Sequence, residues 1–369
     1  MKISRKGAAL ALATATVLAM SSCAANEGGA APGGSTESGA SLSGTLTGIG
    51  ASSAATAQET WAASFQTKNP DVTVNYSPDG SGAGREAFAG GGADFAGSDR
   101  AMKPEEITAE ALTASRCDAS QTAINLPIYI SPIAVIYNVD GVSDLKLDAT
   151  TLASVFAGKI TKWNDPAIAA LNDGTTLPDL TITAVHRADD SGTTENFTEY
   201  LHEAAPKVWT SEPDGEWPLP GGEAAPQTSG VVDTVTNGKG TIGYADASKA
   251  GELGVASVKV GDKFQKPTAE AAAAIVDASE RVTGDGRSAN DWTIELNRTA
   301  EGEVYPIVLL SYAIACQKYK DPATAELVKS YLSYVASATG QQDAVKTAKM
   351  APLSSKLSAD VEAAAATIS

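Results

Sequence analysis

The chain has 369 residues and a formal net charge of −17, from 44 acidic and 27 basic side chains. That balance argues against a nucleic-acid partner, because phosphate backbones need basic surface; it reads most simply as the solubility of an exported protein. Two histidines, His186 and His202, are too few and too badly spaced for a metal centre, so neither a metal nor a cofactor is expected.

The first residues read as a targeting segment. Lys2, Arg5 and Lys6 precede an apolar run, Ala8–Met20, too short to span a bilayer comfortably, so residues 1–22 are expected to be a signal peptide. Met20-Ser21-Ser22-Cys23 resembles the lipobox of bacterial lipoproteins, in which the cysteine is lipidated and becomes the new N-terminus. The plainer alternative is a secretory signal with an incidental cysteine. Residues 23–43 are rich in Gly, Ala, Ser and Pro without an aromatic residue, which suits a flexible leash reaching roughly 20–25 Å from a membrane. The expectation is an extracytoplasmic protein anchored through Cys23, with enough chain left for two domains.

From Thr45 onward short apolar strands alternate with amphipathic helices, the pattern of an α/β fold. Leu46–Gly48 is a strand ahead of a helix over Thr56–Gln66. Val72–Tyr76 precedes a Gly-rich turn and a short helix around Arg85–Phe88. Asp94–Gly97 leads into a helix over Pro104–Thr113, with proline near its first turn. Ala123–Tyr137 is a long β-rich run, expected to break at Ser131-Pro132. Helices are expected over Thr150–Phe156, Pro166–Leu171, Thr194–Glu203, Val231–Thr236 and Ala323–Ala336, and strands over Thr181–Val185, Thr241–Tyr244 and Val304–Leu310. Pro213–Gln227 reads as a long polar surface loop or a flap over a cleft.

Three segments repeat one device. Gly48-Ile49-Gly50-Ala51-Ser52-Ser53, Pro78-Asp79-Gly80-Ser81-Gly82-Ala83-Gly84 and Ser191-Gly192-Thr193 each follow a strand and open a helix. Glycines let the backbone approach a ligand, hydroxyls near the cap add donors, and each helix start carries partial positive charge. One such turn is ordinarily a cap and nothing more. Three in one chain, with Arg187 beside the third, describe a site for a tetrahedral oxyanion. A fourth strand end, Asp94-Phe95-Ala96-Gly97-Ser98-Asp99-Arg100, presents a carboxylate. A partly protonated oxyanion has an O–H to donate to Asp99, and a fully ionised one has none; the alternative for Asp99 is a cap or a partner for Arg100.

Other chemistries fail on pattern. Gly238-Lys239-Gly240-Thr241 lacks the first glycine and the spacing of a phosphate loop. A G-x-S-x-G elbow with ordered Asp and His partners is missing. Asp190-Ser191-Gly192-Thr193 mimics the turn of aspartic proteases, which need a second copy. Cys117 and Cys316 remain after the leader; outside the reducing cytoplasm a disulfide is favoured over two separately buried thiols.

These segments, together with Phe156-Ala157-Gly158-Lys159-Ile160-Thr161-Lys162-Trp163-Asn164-Asp165, Gly240-Thr241-Ile242-Gly243-Tyr244 and Tyr305-Pro306-Ile307, resemble the phosphate-binding lipoproteins of bacterial ABC phosphate importers. The resemblance covers essentially all of Leu46–Leu357. It implies an α/β, two-lobed periplasmic-binding-protein fold with two hinge crossovers and a ligand cleft between the lobes: residues 44–130 plus 304–369 in lobe 1, and residues 131–303 in lobe 2. Matched by position, it implies phosphate ligands Ser52, the backbone of Ser53, Ser81 and Asp99 from the first lobe. Arg187, Ser191, Gly192 and Thr193 would come from the second, with Asp189 pairing with the arginine and tempering its charge. Where some members carry Thr-Phe after Gly-Ala, this chain has Ser52-Ser53 and lacks that aromatic wall; Asp190 adds a carboxylate beside the arginine turn. Cys117 and Cys316 would both lie in lobe 1, where pairing is geometrically possible. The implied partners are inorganic phosphate and the permease and ATPase subunits of an importer, for a monomer that recognises and delivers rather than catalyses. Sulfate or molybdate is the chief rival ligand, and a surface phosphatase on the same scaffold is the rival class.

Overall fold

Strands Gly44–Gly50, Val72–Ser77 and Phe95–Ser98 lie parallel, with Gly44–Gly50 between the other two. Parallel neighbours need crossover connections, and helices Ala55–Lys68 and Ser81–Ala89 supply them. The first of these helices buries Trp61 and Phe65, the latter edge-on to Tyr331 of helix Pro322–Ala336 with ring centroids 5.3 Å apart. These details come from a computed structural model that describes residues 42–369. The leader, Cys23 and nearly all of the leash lie outside the described residues.

The main sheet has nine strands. Along it run Val72–Ser77, Gly44–Gly50, Phe95–Ser98, Val308–Cys316, Ala123–Asn138, Thr241–Asp246, Thr183–Arg187 and Glu223–Ala225, with Gly254–Val255 also on Ala123–Asn138. Ala123–Asn138 is the member common to both halves. Its residues 123–132 pair antiparallel with Val308–Cys316, and residues 133–138 pair with Thr241–Asp246. The expected break at Ser131-Pro132 is therefore absent. Pro132 falls at the last pair of one ladder, just before the next begins, so its missing N–H disturbs neither.

Other expectations shift for local reasons. The helix expected over Pro104–Thr113 is only a 3₁₀ turn, Pro104–Ile107. The Thr108 hydroxyl accepts from Ala111 N at 3.1 Å and so caps the chain again before an α-helix can propagate. The strand expected over Val304–Leu310 starts later, at Val308, and runs to Cys316; Tyr305 N instead donates to Ala271 O at 3.0 Å. Pro213–Gln227 is not wholly irregular, because Glu223–Ala225 adds a parallel edge strand to Thr183–Arg187. Helices Ala269–Asp277, Ala338–Ala348 and Ser355–Ala365 were not expected at all. Their buried residues recur at helical spacing, as in Leu357, Ser358, Val361, Ala364 and Ala365, so these three helices were legible in the sequence and were missed.

Cys117 and Cys316 form a disulfide with Cα atoms 5.1 Å apart. Cys316 ends the strand Val308–Cys316, so the bond ties that strand to the segment after the Pro104–Ile107 turn. Among the described residues no helix is long and apolar enough to cross a membrane. No group of His, Cys, Asp or Glu among them is arranged to hold a metal ion.

Candidate functional site

In α/β sheets ligands are taken at the carboxyl ends of the strands, and here four such ends meet. Gly44–Gly50 leads to Ser52 and Ser53, Val72–Ser77 to Ser81, Phe95–Ser98 to Asp99, and Thr183–Arg187 ends on the arginine itself. Asp99, only 3 % exposed, is the hub. Ser53 Oγ lies 2.8 Å from each of its carboxylate oxygens, and Thr193 Oγ1 donates to Oδ2 at 3.0 Å. Ser311 Oγ donates to Oδ1. Ser81 Oγ accepts from the backbone N–H of Asp99 at 3.1 Å. Burial pushes the Asp99 carboxyl up; the hydroxyls of Ser311, Ser53 and Thr193 and the guanidinium of Arg187 pull it back without cancelling that rise.

Arg187 is also buried, 3 % exposed. Its Nε donates to Asp189 Oδ1 at 2.8 Å and its Nη2 to Asp189 Oδ2, a two-point grip that fits guanidinium to carboxylate. Burial alone would raise the Asp189 carboxyl, but the hydrogen bonds and charge of Arg187 outweigh it and hold Asp189 below the usual range. The backbone N–H of Gln227 also donates to Asp189 Oδ1 at 2.9 Å. Behind the arginine, its backbone N–H meets the Tyr244 hydroxyl at 3.2 Å, and that hydroxyl lies 2.7 Å from Thr194 Oγ1. Two of the five guanidinium N–H groups are used on Asp189, and the rest of the fork is available to an anion.

Glycine is needed where two of these turns touch the cluster. A side chain at Gly80, whose φ is +108°, would place Cβ 2.8 Å from Asp189 Oδ2. At Gly192 a Cβ would come within 2.6 Å of Asp99 Cβ. Helix Gly192–Ala204 thus starts against the Asp99 wall, with Ser191 as its cap accepting from Thr194 N at 3.3 Å. The first-turn N–H groups of such a helix have no partner within it.

The eight residues expected in the site fall unevenly around it. Ser53, Ser81, Asp99 and Thr193 are joined by hydrogen bonds, with Gly192 packed on Asp99 and Arg187 close enough to bear on its charge. Only the backbone of Ser53 was expected to matter, yet its side chain is the one on Asp99. Ser52 is paired with Thr228, Oγ to Oγ1 3.0 Å, and accepts from Thr228 N at 3.2 Å. Asp190 faces Arg85 and not Arg187: Arg85 Nη2 donates to Asp190 Oδ2 at 2.9 Å, while Asp190 O accepts from Gly82 N at 3.2 Å. Arg85 also pairs with Glu106, 3.4 Å away. The tract Gly158–Asp165 stands apart from the cluster. Its Trp163 donates from Nε1 to Gly240 O at 3.0 Å and supports the turn that starts Thr241–Asp246.

Sequence reasoning missed Ser311, Asn196, Arg298 and Arg85. Asn196 Nδ2 donates to Asp99 O at 2.6 Å and to Gly192 O at 2.7 Å, while its Oδ1 accepts from Arg298 Nη2. Arg298 also donates to Pro306 O and Val308 O, each at 3.2 Å. Asn196 was findable, since it lies one helical turn after Gly192 and hence on the same face. Arg85 had the same signal, four residues after Ser81. Ser311 and Arg298 carry no local motif.

Chemically, the cluster combines a guanidinium, small hydroxyls and helix starts with one buried carboxylate acceptor. That set suits a tetrahedral anion that still carries a proton. A family model described as the PBP superfamily domain matches residues 35–339. The chain is 35 % identical over 343 residues to phosphate-binding protein PstS 3 of Mycobacterium leprae, with 90 % of each chain covered. It is 36 % identical over 342 residues to phosphate-binding protein PstS 3 of Mycobacterium tuberculosis, again over 90 % of each. The solved structure of a phosphate-binding protein from Stenotrophomonas maltophilia aligns with a TM-score of 0.67 at 20 % identity, over 87 % of this chain and 93 % of that one, a likeness of fold. With a superfamily model spanning most of its length and relatives of this similarity, the chain belongs to the PBP superfamily, among its PstS phosphate-binding proteins.

Proposed function

We propose that this protein captures inorganic phosphate outside the cytoplasm and hands it to an ABC importer, a binding role without chemistry on the ligand. The observation that carries the reading is Asp99: a buried carboxylate among hydroxyl donors, close to Arg187. Phosphate at neutral pH satisfies both sides, with charge for the arginine and an O–H for the carboxylate. Sulfate or molybdate, fully ionised, would set lone pairs against lone pairs there.

Within that role the ligand set is Ser52, Ser53, Ser81 and Asp99 from one lobe and Arg187, Ser191, Gly192 and Thr193 from the other. Residues 44–130 plus 304–369 form the first lobe and residues 131–303 the second. One observation supports this division: the strand Ala123–Asn138 changes partner after Pro132. Closing the lobes over the anion removes water and strengthens each hydrogen bond. The protein acts as a monomer held to the membrane by lipid on Cys23, so Cys23→Ala should release it or leave an unprocessed precursor.

Trp217 stacks on His186 with ring centroids 4.8 Å apart, directly before Arg187 in the chain, so tryptophan emission reports on the site. Titration of the purified protein should show saturable phosphate binding that excess sulfate does not displace. Absence of saturable phosphate binding would refute the proposal.

A further inference from the structure

Asp99 has three hydroxyl donors, and they come from two kinds of place. Ser53 belongs to the turn before helix Ala55–Lys68 and Thr193 to the first turn of helix Gly192–Ala204, segments that on this reading face the anion. Ser311 sits inside the strand Val308–Cys316, 1 % exposed, between Phe95–Ser98 on one side and Ala123–Asn138 on the other. The ladder to Ala123–Asn138 slips by one residue there: Ser311 faces Tyr129, whereas Tyr312 faces Pro127. Such irregularities re-aim side chains next to functional sites, and Pro127 has no N–H to lose from the ladder.

We propose, on the reading that this site holds phosphate, that Ser311 is a positioning residue for specificity: its hydroxyl stays on Oδ1 of Asp99 when the ligand enters, holds the carboxyl ionised as an acceptor, and leaves Oδ2 to take the ligand's proton. Ser53 and Thr193 can rotate their hydroxyls from Asp99 to the oxygens of the anion. Ser311 sits instead within the paired strand Val308–Cys316, and its hydroxyl donates to Oδ1. Its bond counts because burial favours the protonated form of Asp99, and Ser311 leads the groups that oppose this. A protonated Asp99 would be a donor, and a donor admits sulfate.

The groups facing Asp99 are few. Arg187 comes from Thr183–Arg187, and Tyr76 from Val72–Ser77 feels its charge. Thr193 comes from Gly192–Ala204, whose Glu195 is engaged by Arg100 at 2.8 Å. Arg100, adjacent in the chain, also donates to Glu106. Arg298 reaches only the backbone carbonyl of Asp99, through Asn196.

The test titrates phosphate and sulfate into wild type, Ser311→Ala and Ser311→Cys, from about pH 5 to about pH 8. Ser311→Ala should bind phosphate roughly tenfold or more weakly, the expected effect of losing a hydrogen bond to a charged group. Its preference over sulfate should also begin to fall at a higher pH than in wild type, with Ser311→Cys, a weak donor of similar size, in between. A merely structural role would weaken both ligands alike and leave the pH profile unmoved, and that result would overturn the inference. So would a wild-type profile in either variant; if Ser311→Ala does not fold, Ser311→Cys carries the decision. Wild type that fails to bind phosphate overturns the phosphate reading itself, whereas wild type that binds with variants unchanged overturns only the role of Ser311.

Discussion

Replacing Asp99 by Asn should convert a phosphate receptor into one that also takes sulfate. The carboxylate is 3 % exposed and its donors are the hydroxyls of Ser53, Thr193 and Ser311. Hydroxyls donate or accept, so each can turn to meet an amide, and the shape of the site is kept. What changes is the group shown to the ligand: an N–H in place of lone pairs. In wild type, a bound sulfate would leave a buried charged acceptor unmet, at about 1–3 kcal/mol before like-charge repulsion is counted. Sites that reject by an unmet hydrogen bond reach about 10⁴–10⁵-fold discrimination. In Asp99→Asn most of that should vanish through a gain in sulfate affinity of about 100-fold or more, since both the mismatch and the repulsion go. Phosphate should weaken by only about tenfold, because losing one charge-assisted bond is partly offset by less negative charge near Arg187. Competition titrations at neutral pH, followed by tryptophan emission, measure both constants, and a melting curve checks the fold. An Asn variant that excludes sulfate as strongly as wild type would refute the reasoning and place the filter elsewhere.

Arg187→Ala should lose about 2–5 kcal/mol of phosphate binding, and Arg187→Lys should be clearly impaired, since an ammonium cannot grip Asp189 at two points and an anion together; calorimetry within twofold of wild type would remove Arg187 from the site. Replacing Cys117 and Cys316 together by Ala opens a 199-residue separation and should lower stability by up to about 5 kcal/mol in the chain-entropy model, read as a lower denaturation midpoint. Glu106 is held down to about 2: burial raises it, but hydrogen bonds from Arg100 and from the Lys103 backbone, with the charges of Arg100 and Arg85, prevail. A depressed carboxyl stabilises fully above its unfolded value and loses that contribution as pH falls through the folded one. Glu106→Gln should therefore be less stable than wild type near neutrality, by about 2 kcal/mol after allowing for partial exposure. The gap should close on acidification from about pH 4.5 to about pH 2; a gap unchanged with pH would contradict the assignment.

The parts of this protein legible in its sequence are those made within one short segment. Gly48–Ser53, Gly80–Gly84 and Arg187–Thr193 each contain a strand end, a turn and a helix start, so glycine, hydroxyl and arginine already stand in the order in which the backbone presents them. The α/β alternation and the chemistry of an acid at a strand end follow from the same local rules. Contacts made by distant segments were not legible. Ser311 lies 212 positions from Asp99, Thr228 lies 176 from Ser52, and Asp190 lies 105 from Arg85. No periodicity links such pairs, so the sequence left Asp190 as a possible intruder beside Arg187 and did not suggest Ser311. The same limit explains the wrongly expected break at Pro132. Proline's missing N–H is a local fact, but whether it matters depends on which strand lies alongside, and only the packed sheet puts the end of one ladder at that residue.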